Sequence, residues 1–142
     1  MDPIRLTAIG VGQYDAAVRI EATDFFKADK AQVREDHAGR FQVRDLQNGS
    51  SLVYPKIRNI HQRTKLAVSA SSVAPAGAQI DVHRGSPSGP RLATLNFKPI
   101  AGDQNDTMQA ATLNGVRDTD NLCLVVRGGP GELIRLNHLM FS

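Results

Sequence analysis

The side chains with the clearest chemical potential are histidines, carboxylates and arginines, and their spacing argues against catalysis. His37, His61, His83 and His138 lie on separate segments without HxxxH or HxH spacing, so each reads as a surface or hydrogen-bonded histidine rather than a metal ligand. The carboxylates Asp103 with Asp106, and Asp118 with Asp120, fall among turn-forming residues and read as solvated turn residues. There is no GxSxG elbow, no Ser, His and Asp set in a triad-like context, and no GxGxxG or GxxxxGK loop. Gly128-Gly129-Pro130-Gly131 has glycines but no Lys-Ser/Thr, and reads as a hairpin. Glu21 and Thr23 alternate onto one side of a strand and offer oxygen to a hard cation such as calcium, although two ligands make a weak site. Asn48-Gly49-Ser50 and Asn105-Asp106-Thr107 match the short glycosylation sequon. An enzyme is not expected.

The elements that must carry these residues are strands. Apolar residues alternate in Arg19 to Phe25, Ser51 to Ile57, Lys65 to Ser69, Gln79 to His83 and Arg91 to Phe97. Turn signals separate them at Asn48-Gly49, Pro75 to Gly77, Gly85 to Pro90 and Gly128 to Gly131. Further runs at Leu6 to Gly10 and near Phe41, Met108, Leu122 and Ile134 bring the expectation to about nine to eleven strands, an all-β sandwich of jelly-roll type. Only Asp29 to Asp36 has helix-forming composition, and it is too poor in apolar residues to anchor a packed helix. Pro55 interrupts Ser51 to Ile57, so that segment should be an edge strand or carry a bulge.

The chain has 142 residues, 41% of them hydrophobic, which suits one domain with its own core. No apolar run approaches the length of a membrane span. Cys123 is the only cysteine, which excludes an intrachain disulfide, and its apolar run Leu122 to Val126 marks it as a buried small hydrophobe. The formal charge is +3, with Arg40, Arg44, Lys56, Arg58, Arg63 and Lys65 facing one acid, Asp45, between Arg40 and Lys65. These residues read as a solvated strand face that an anionic polymer could find. Nucleic acid would be held with steep salt dependence, but aromatics for base stacking are few, so it is not the expected partner. The start, MDPIRLTAIG, lacks a secretory pattern, so the expectation is either an intracellular protein or a piece trimmed from a longer chain, the abrupt start near a strand-like segment slightly favouring the second.

In order along the chain, several segments resemble the family 6 carbohydrate-binding modules. Arg19 to Phe25 is similar to the family's opening strand, Asn48 to Tyr54 to its Gly-Asp-Trp-x-x-Tyr strand, and Leu66 to Ser72 to the strand with an Ala-Ser ending. Gly77 to Leu95 follows the spaced Gly-x-Ile pattern. Asp120 to Val126, the Gly128-Gly129 turn and Leu136 to Phe141 resemble the family's last two strands, so the likeness spans residues 18 to 141.

The resemblance implies a non-catalytic jelly roll that binds polysaccharide or oligosaccharide, secreted or periplasmic as part of a larger protein. It implies a structural calcium at positions corresponding to Glu21, Thr23 and Asn137, with one carboxylate left to hold it, so the ion should be weakly bound or absent. The family clasps a sugar between two aromatics and adds an amide. Here the aromatic positions fall near Arg44 or Asp45 and at Asp103 to Met108, the amide falls at Arg135, and there is no Trp. Tyr54 keeps a position that is structural in the family. Three uses follow: a polar or acidic glycan held by Arg44 and Arg135, a glycan on the concave face of one sheet, or a degenerate module serving as a protein-interaction or spacer domain.

Overall fold

A computed structural model describes residues 14–25, 27–35, 41–74, 76–98, 107–113, 116–117 and 121–142. Eleven strands are formed among them: β1 Ile20–Glu21, β2 Lys27–Asp29, β3 Gln32–Glu35, β4 Phe41–Leu46, β5 Ser51–Pro55, β6 Lys65–Ser72, β7 Ala78–Arg84, β8 Arg91–Phe97, β9 Thr107–Thr112, β10 Asn121–Arg127 and β11 Ile134–Phe141. They build a six-stranded sheet ordered β3-β4-β11-β6-β9, with β1 also on β11, and a five-stranded sheet ordered β2-β5-β10-β7-β8. The fold is a β-sandwich of jelly-roll type. No helix among the described residues is long and apolar enough to cross a membrane.

Alternation decides which side of each strand enters the core. Leu66, Val68 and Ala70 of β6 face Leu52 and Tyr54 of β5, Ile80 and Val82 of β7, and Leu122, Leu124 and Val126 of β10 within one buried cluster. A fully buried Leu or Ile contributes about 1.5–3 kcal/mol, so this interior dominates stability. Cys123 is fully buried, and desolvation pushes its thiol pKa up, as a small hydrophobe requires.

Two strands break the alternation. On β11 the inward residues are Ile134 and Leu136, then Leu139 and Phe141, and the ladder to β6 shifts between Leu136 and His138. On β4 they are Val43 and Leu46, and the ladder to β11 shifts there too. Each strand therefore carries a bulge, at Asn137 and at Arg44-Asp45. Asp45 takes φ 59, a left-handed conformation that Asp tolerates better than most residues. Bulges bend a strand and re-aim its side chains, and both of these fall on candidate site residues.

Three expectations need correction. Arg19 to Phe25 is not one strand: β1 ends at Glu21 and Ala22–Asp24 forms a 3-10 turn, so Glu21 and Thr23 do not alternate along a single strand. Strand β5 is not an edge strand but lies between β2 and β10. Pro55 is tolerated because it ends β5, while β2 pairs only with Ser51 to Val53 and leaves that flank open at residue 55. The Gly128 to Gly131 turn is not a hairpin, since it carries the chain from β10 in one sheet to β11 in the other. As its thin apolar content implied, the Asp29 to Asp36 segment carries no packed helix, and β3 occupies Gln32–Glu35. The Leu6 to Gly10 run lies outside the described residues.

Candidate functional site

The outward face of the six-stranded sheet gathers most of the candidate residues. Strand β3 pairs with β4 so that Gln32 lies opposite Arg44 and Arg34 opposite Gln42. Strand β11 pairs with β6 so that Arg135 lies opposite Ser71 and His138 opposite Ser69. Strand β9 adds Met108 opposite Ser69, 48% exposed, across β6 from His138 and diagonal to Arg135. Small Ser69 and Ser71 keep the floor low between Met108 and the arginines.

Two carboxylates and an amide order the guanidinium groups. Glu132 accepts the backbone N–H of Asp45 at 2.8 Å on Oε2, and Arg135 Nη2 at 3.2 Å on Oε1. It therefore ties the β4 bulge to the start of β11. Asp45 pairs in turn with Arg34, Nε to Oδ2, at 3.3 Å. Arg44 donates from Nε at 3.0 Å and Nη2 at 2.8 Å to the side-chain oxygen of Gln42. Gln42 Nε2 then donates to Asn137 Oδ1 at 2.8 Å. The direction of this relay is set by Arg44, which only donates and so claims the Gln42 oxygen. Asn137 Nδ2 and, separately, Arg135 Nε are buried donors without a partner.

Arg44, Asp45 and Arg135 are thus brought together, and Met108 shares their face. Asp103 lies outside the described residues. Glu132, Gln42 and Arg34 were missed in the sequence, where each is an ordinary polar residue; the signal was the broken alternation beside them. Of the six basic residues expected on one strand face, the five that are described are dispersed instead. Arg44 is on β4, Lys56, Arg58 and Arg63 lie between β5 and β6, Lys65 begins β6, and Arg58 pairs with Asp15 at 3.7 Å. Arg40 lies outside the described residues. Tyr54 is fully buried and belongs to the core. Phe41, 58% exposed on β4, is the most exposed aromatic among the described residues and was not anticipated.

The chain matches the family described as carbohydrate binding module (family 6) over residues 21–142. It belongs to that family. The family 6 fold is repeated in solved structures, among them a module from Clostridium stercorarium in complex with cellobiose, 22% identical, with a TM-score of 0.80 over 94% of this chain and 98% of that one. A module from Clostridium cellulolyticum in complex with xylose is 25% identical, with a TM-score of 0.81 over 90% and 98%. A β-1,3-glucan binding module from Bacillus halodurans is 21% identical, with a TM-score of 0.81 over 92% and 98%. No curated protein matches the chain. The family is one of binding modules rather than catalysts, and this member is a non-catalytic carbohydrate-binding module.

A calcium-bound module of family 36 shares the fold at 17% identity and a TM-score of 0.67. The residues at this chain's corresponding positions do not fit such an ion. Glu21 Oε2 is held by Arg19 Nε at 2.8 Å, and the Asn137 oxygen is occupied by Gln42. Asn137 Oδ1 already accepts one hydrogen bond, and its Nδ2 is a donor that cannot ligate a cation. Among the described residues, no three of His, Cys, Asp or Glu converge on a metal position. Millimolar calcium is therefore expected to shift the melting temperature by less than about 1 °C, because an ion stabilises only in proportion to its binding to the native state. Calorimetry with calcium and with chelator checks this, and a rise of several degrees would contradict it.

Proposed function

We propose that this module binds an acidic or strongly polar polysaccharide on the outward face of the six-stranded sheet, with Arg44 and Arg135 as donors to its carboxylate or sulfate groups. The observation that carries the reading is the ordering of both guanidinium groups on one face, Arg44 by Gln42 and Arg135 by Glu132. Ordered arginines suit bidentate contact with oxyanions and lose less freedom on binding. Sparse exposed aromatics weaken the alternative of stacking on neutral sugar rings. On this reading the module works outside the cytoplasm, as part of a larger secreted or periplasmic protein.

Affinity electrophoresis against neutral and acidic polysaccharides tests the reading. The wild type should be retarded by uronate-bearing or sulfated polymers and not by neutral glucans. Arg44→Ala with Arg135→Ala should weaken retardation at least tenfold, about 1.4 kcal/mol. Equal retardation of variant and wild type would refute it.

A second reading, a module kept for protein contact, is favoured by one observation. Phe41 and Val33, 58% and 44% exposed, lie diagonally on the β3–β4 pair, Phe41 opposite Glu35 and Val33 opposite Val43. Its signature is self-association or a stable partner rather than polymer retardation.

A further inference from the structure

The last strand of a sheet keeps one side of its backbone unpaired, and natural sandwiches blunt that side with charges, bulges or short strands. The two sheets of this module end on β3 and β9, and on β2 and β8. Three of these edges are blunted. Strand β3 carries Arg34 and Glu35, and β2 is a three-residue strand with Lys27 and Asp29. Strand β8 begins at Arg91, and its ladder to β7 shifts register beside that residue. Strand β9 has no such device. Its sequence TMQAAT holds no charge and no proline, and its ladder to β6 runs unbroken from Thr112 opposite Lys65 to Thr107 opposite Ala70.

The chain just after β9 shows which of its backbone groups face outward. Leu113 donates its N–H to the Thr64 carbonyl at 2.7 Å, so residue 113 points toward β6. Direction alternates along a strand. Ala111 and Gln109 therefore also point toward β6, and the amides and carbonyls of Thr112, Ala110 and Met108 lie on the open side. The side chains there are small or flexible: Ala110 and Thr112 are exposed, and Met108 is 48% exposed. Ala110 lies opposite Ala67, and Ala67 opposite Met140, which makes a low, uncharged floor leading up to the edge.

We propose that β9 is a dimerisation edge, which pairs antiparallel with β9 of a second copy of this chain about a two-fold axis at Ala110. In that register Ala110 meets its own counterpart, and Met108 lies opposite Thr112 of the second copy. Every open amide and carbonyl of Met108, Ala110 and Thr112 then finds a partner. The edge is self-complementary: Ala67 and Ala110 of both copies form one flat floor across the axis, and the long Met108 side chain meets the shorter Thr112. An uncharged edge favours its own copy over a charged partner, and Lys65 sits at the end of the ladder rather than at the axis. The axis is perpendicular to the sheet, so the Arg44 and Arg135 faces of both copies look the same way. One acidic polymer could hold both and gain from effective concentration. That gain rests on the function proposed above; the dimer does not.

Analytical ultracentrifugation from micromolar to submillimolar concentration tests it. The wild type should form a dimer and no larger species, since a two-fold pairing uses up both edges. Hydrogen exchange should find the Met108, Ala110 and Thr112 amides protected only where the dimer is populated. Ala110→Pro removes one open-side N–H and leaves the ladder to β6 whole, while Ala110→Lys sets like charges face to face at the axis. Each should weaken the dimer at least tenfold with the melting temperature of the monomer kept. Phe41→Ser, on the far side of the same sheet, should leave the dimer unchanged. A wild type that stays monomeric, a dimer unmoved by both Ala110 variants, or protection independent of concentration would overturn the proposal. A dimer lost with Phe41→Ser alone would overturn it as well, and favour the protein-contact reading above. A β9 dimer that no acidic polymer retards would uphold the dimer and remove the glycan reading. Retardation of a monomeric wild type would remove the dimer and leave the proposed function standing.

Discussion

Tyr54→Ala should destabilise the domain by about 3–5 kcal/mol, the usual cost of removing a buried aromatic side chain. Such a loss approaches the whole stability of a typical domain, so the variant should be largely unfolded at 37 °C. Tyr54 is fully buried on β5, with its ring edge-on to Tyr14 at a centroid distance of 5.9 Å. Its hydroxyl donates to the backbone carbonyl of Ala22 at 2.7 Å, fixing the 3-10 turn after β1 against the core. Tyr54→Phe keeps the ring and loses that bond, which should cost about 1–2 kcal/mol. Urea unfolding of the two variants separates packing from hydrogen bonding. An alanine variant within 1 kcal/mol of wild type would contradict the core position.

Arg127→Ala should cost about 2–3 kcal/mol, a large effect for a side chain that is half exposed. The cause is its partner: the Asp81 carboxylate is 1% exposed and would keep only Thr94. A buried charge stripped of its counter-ion costs far more than an exposed one. Adding Asp81→Asn to the arginine variant should recover part of the loss, because the neutral amide removes the uncompensated charge. A double-mutant cycle by urea unfolding measures the coupling, and strictly additive effects would deny it.

The sandwich was legible because alternating Leu, Val and Ile reads directly as a strand buried on one side. The unbroken apolar run Leu122 to Val126 also marked Cys123 as buried, although it lies outside the central cluster. The site was less legible because it depends on where alternation fails. Val43 and Leu46, and likewise Leu136 and Leu139, are three residues apart rather than two, and each pair brackets a bulge. The spacing was visible, but a strand with one extra residue and two adjoining strands look alike along a sequence. Arg44 and Arg135 were found by their positions within the family pattern. Gln42 and Glu132, which orient them, belong to no motif, and their value comes from contacts with residues 95 and 3 positions away. The placing of Thr23 beside Glu21 on one strand failed because Ala22–Asp24 turns as a 3-10 segment, held by Tyr54 from a distant strand.

The position of β11 has a consequence for synthesis. This strand lies between β4 and β6 and also receives β1, yet it is the last of the eleven to be translated. While it remains in the ribosomal tunnel, β4 and β6 have no neighbour to share and the six-stranded sheet has no centre. The earlier strands must wait with unpaired edges exposed, a state prone to wrong association. Folding of this module is therefore post-translational with respect to its own sequence, closing around its final strand rather than growing from its first.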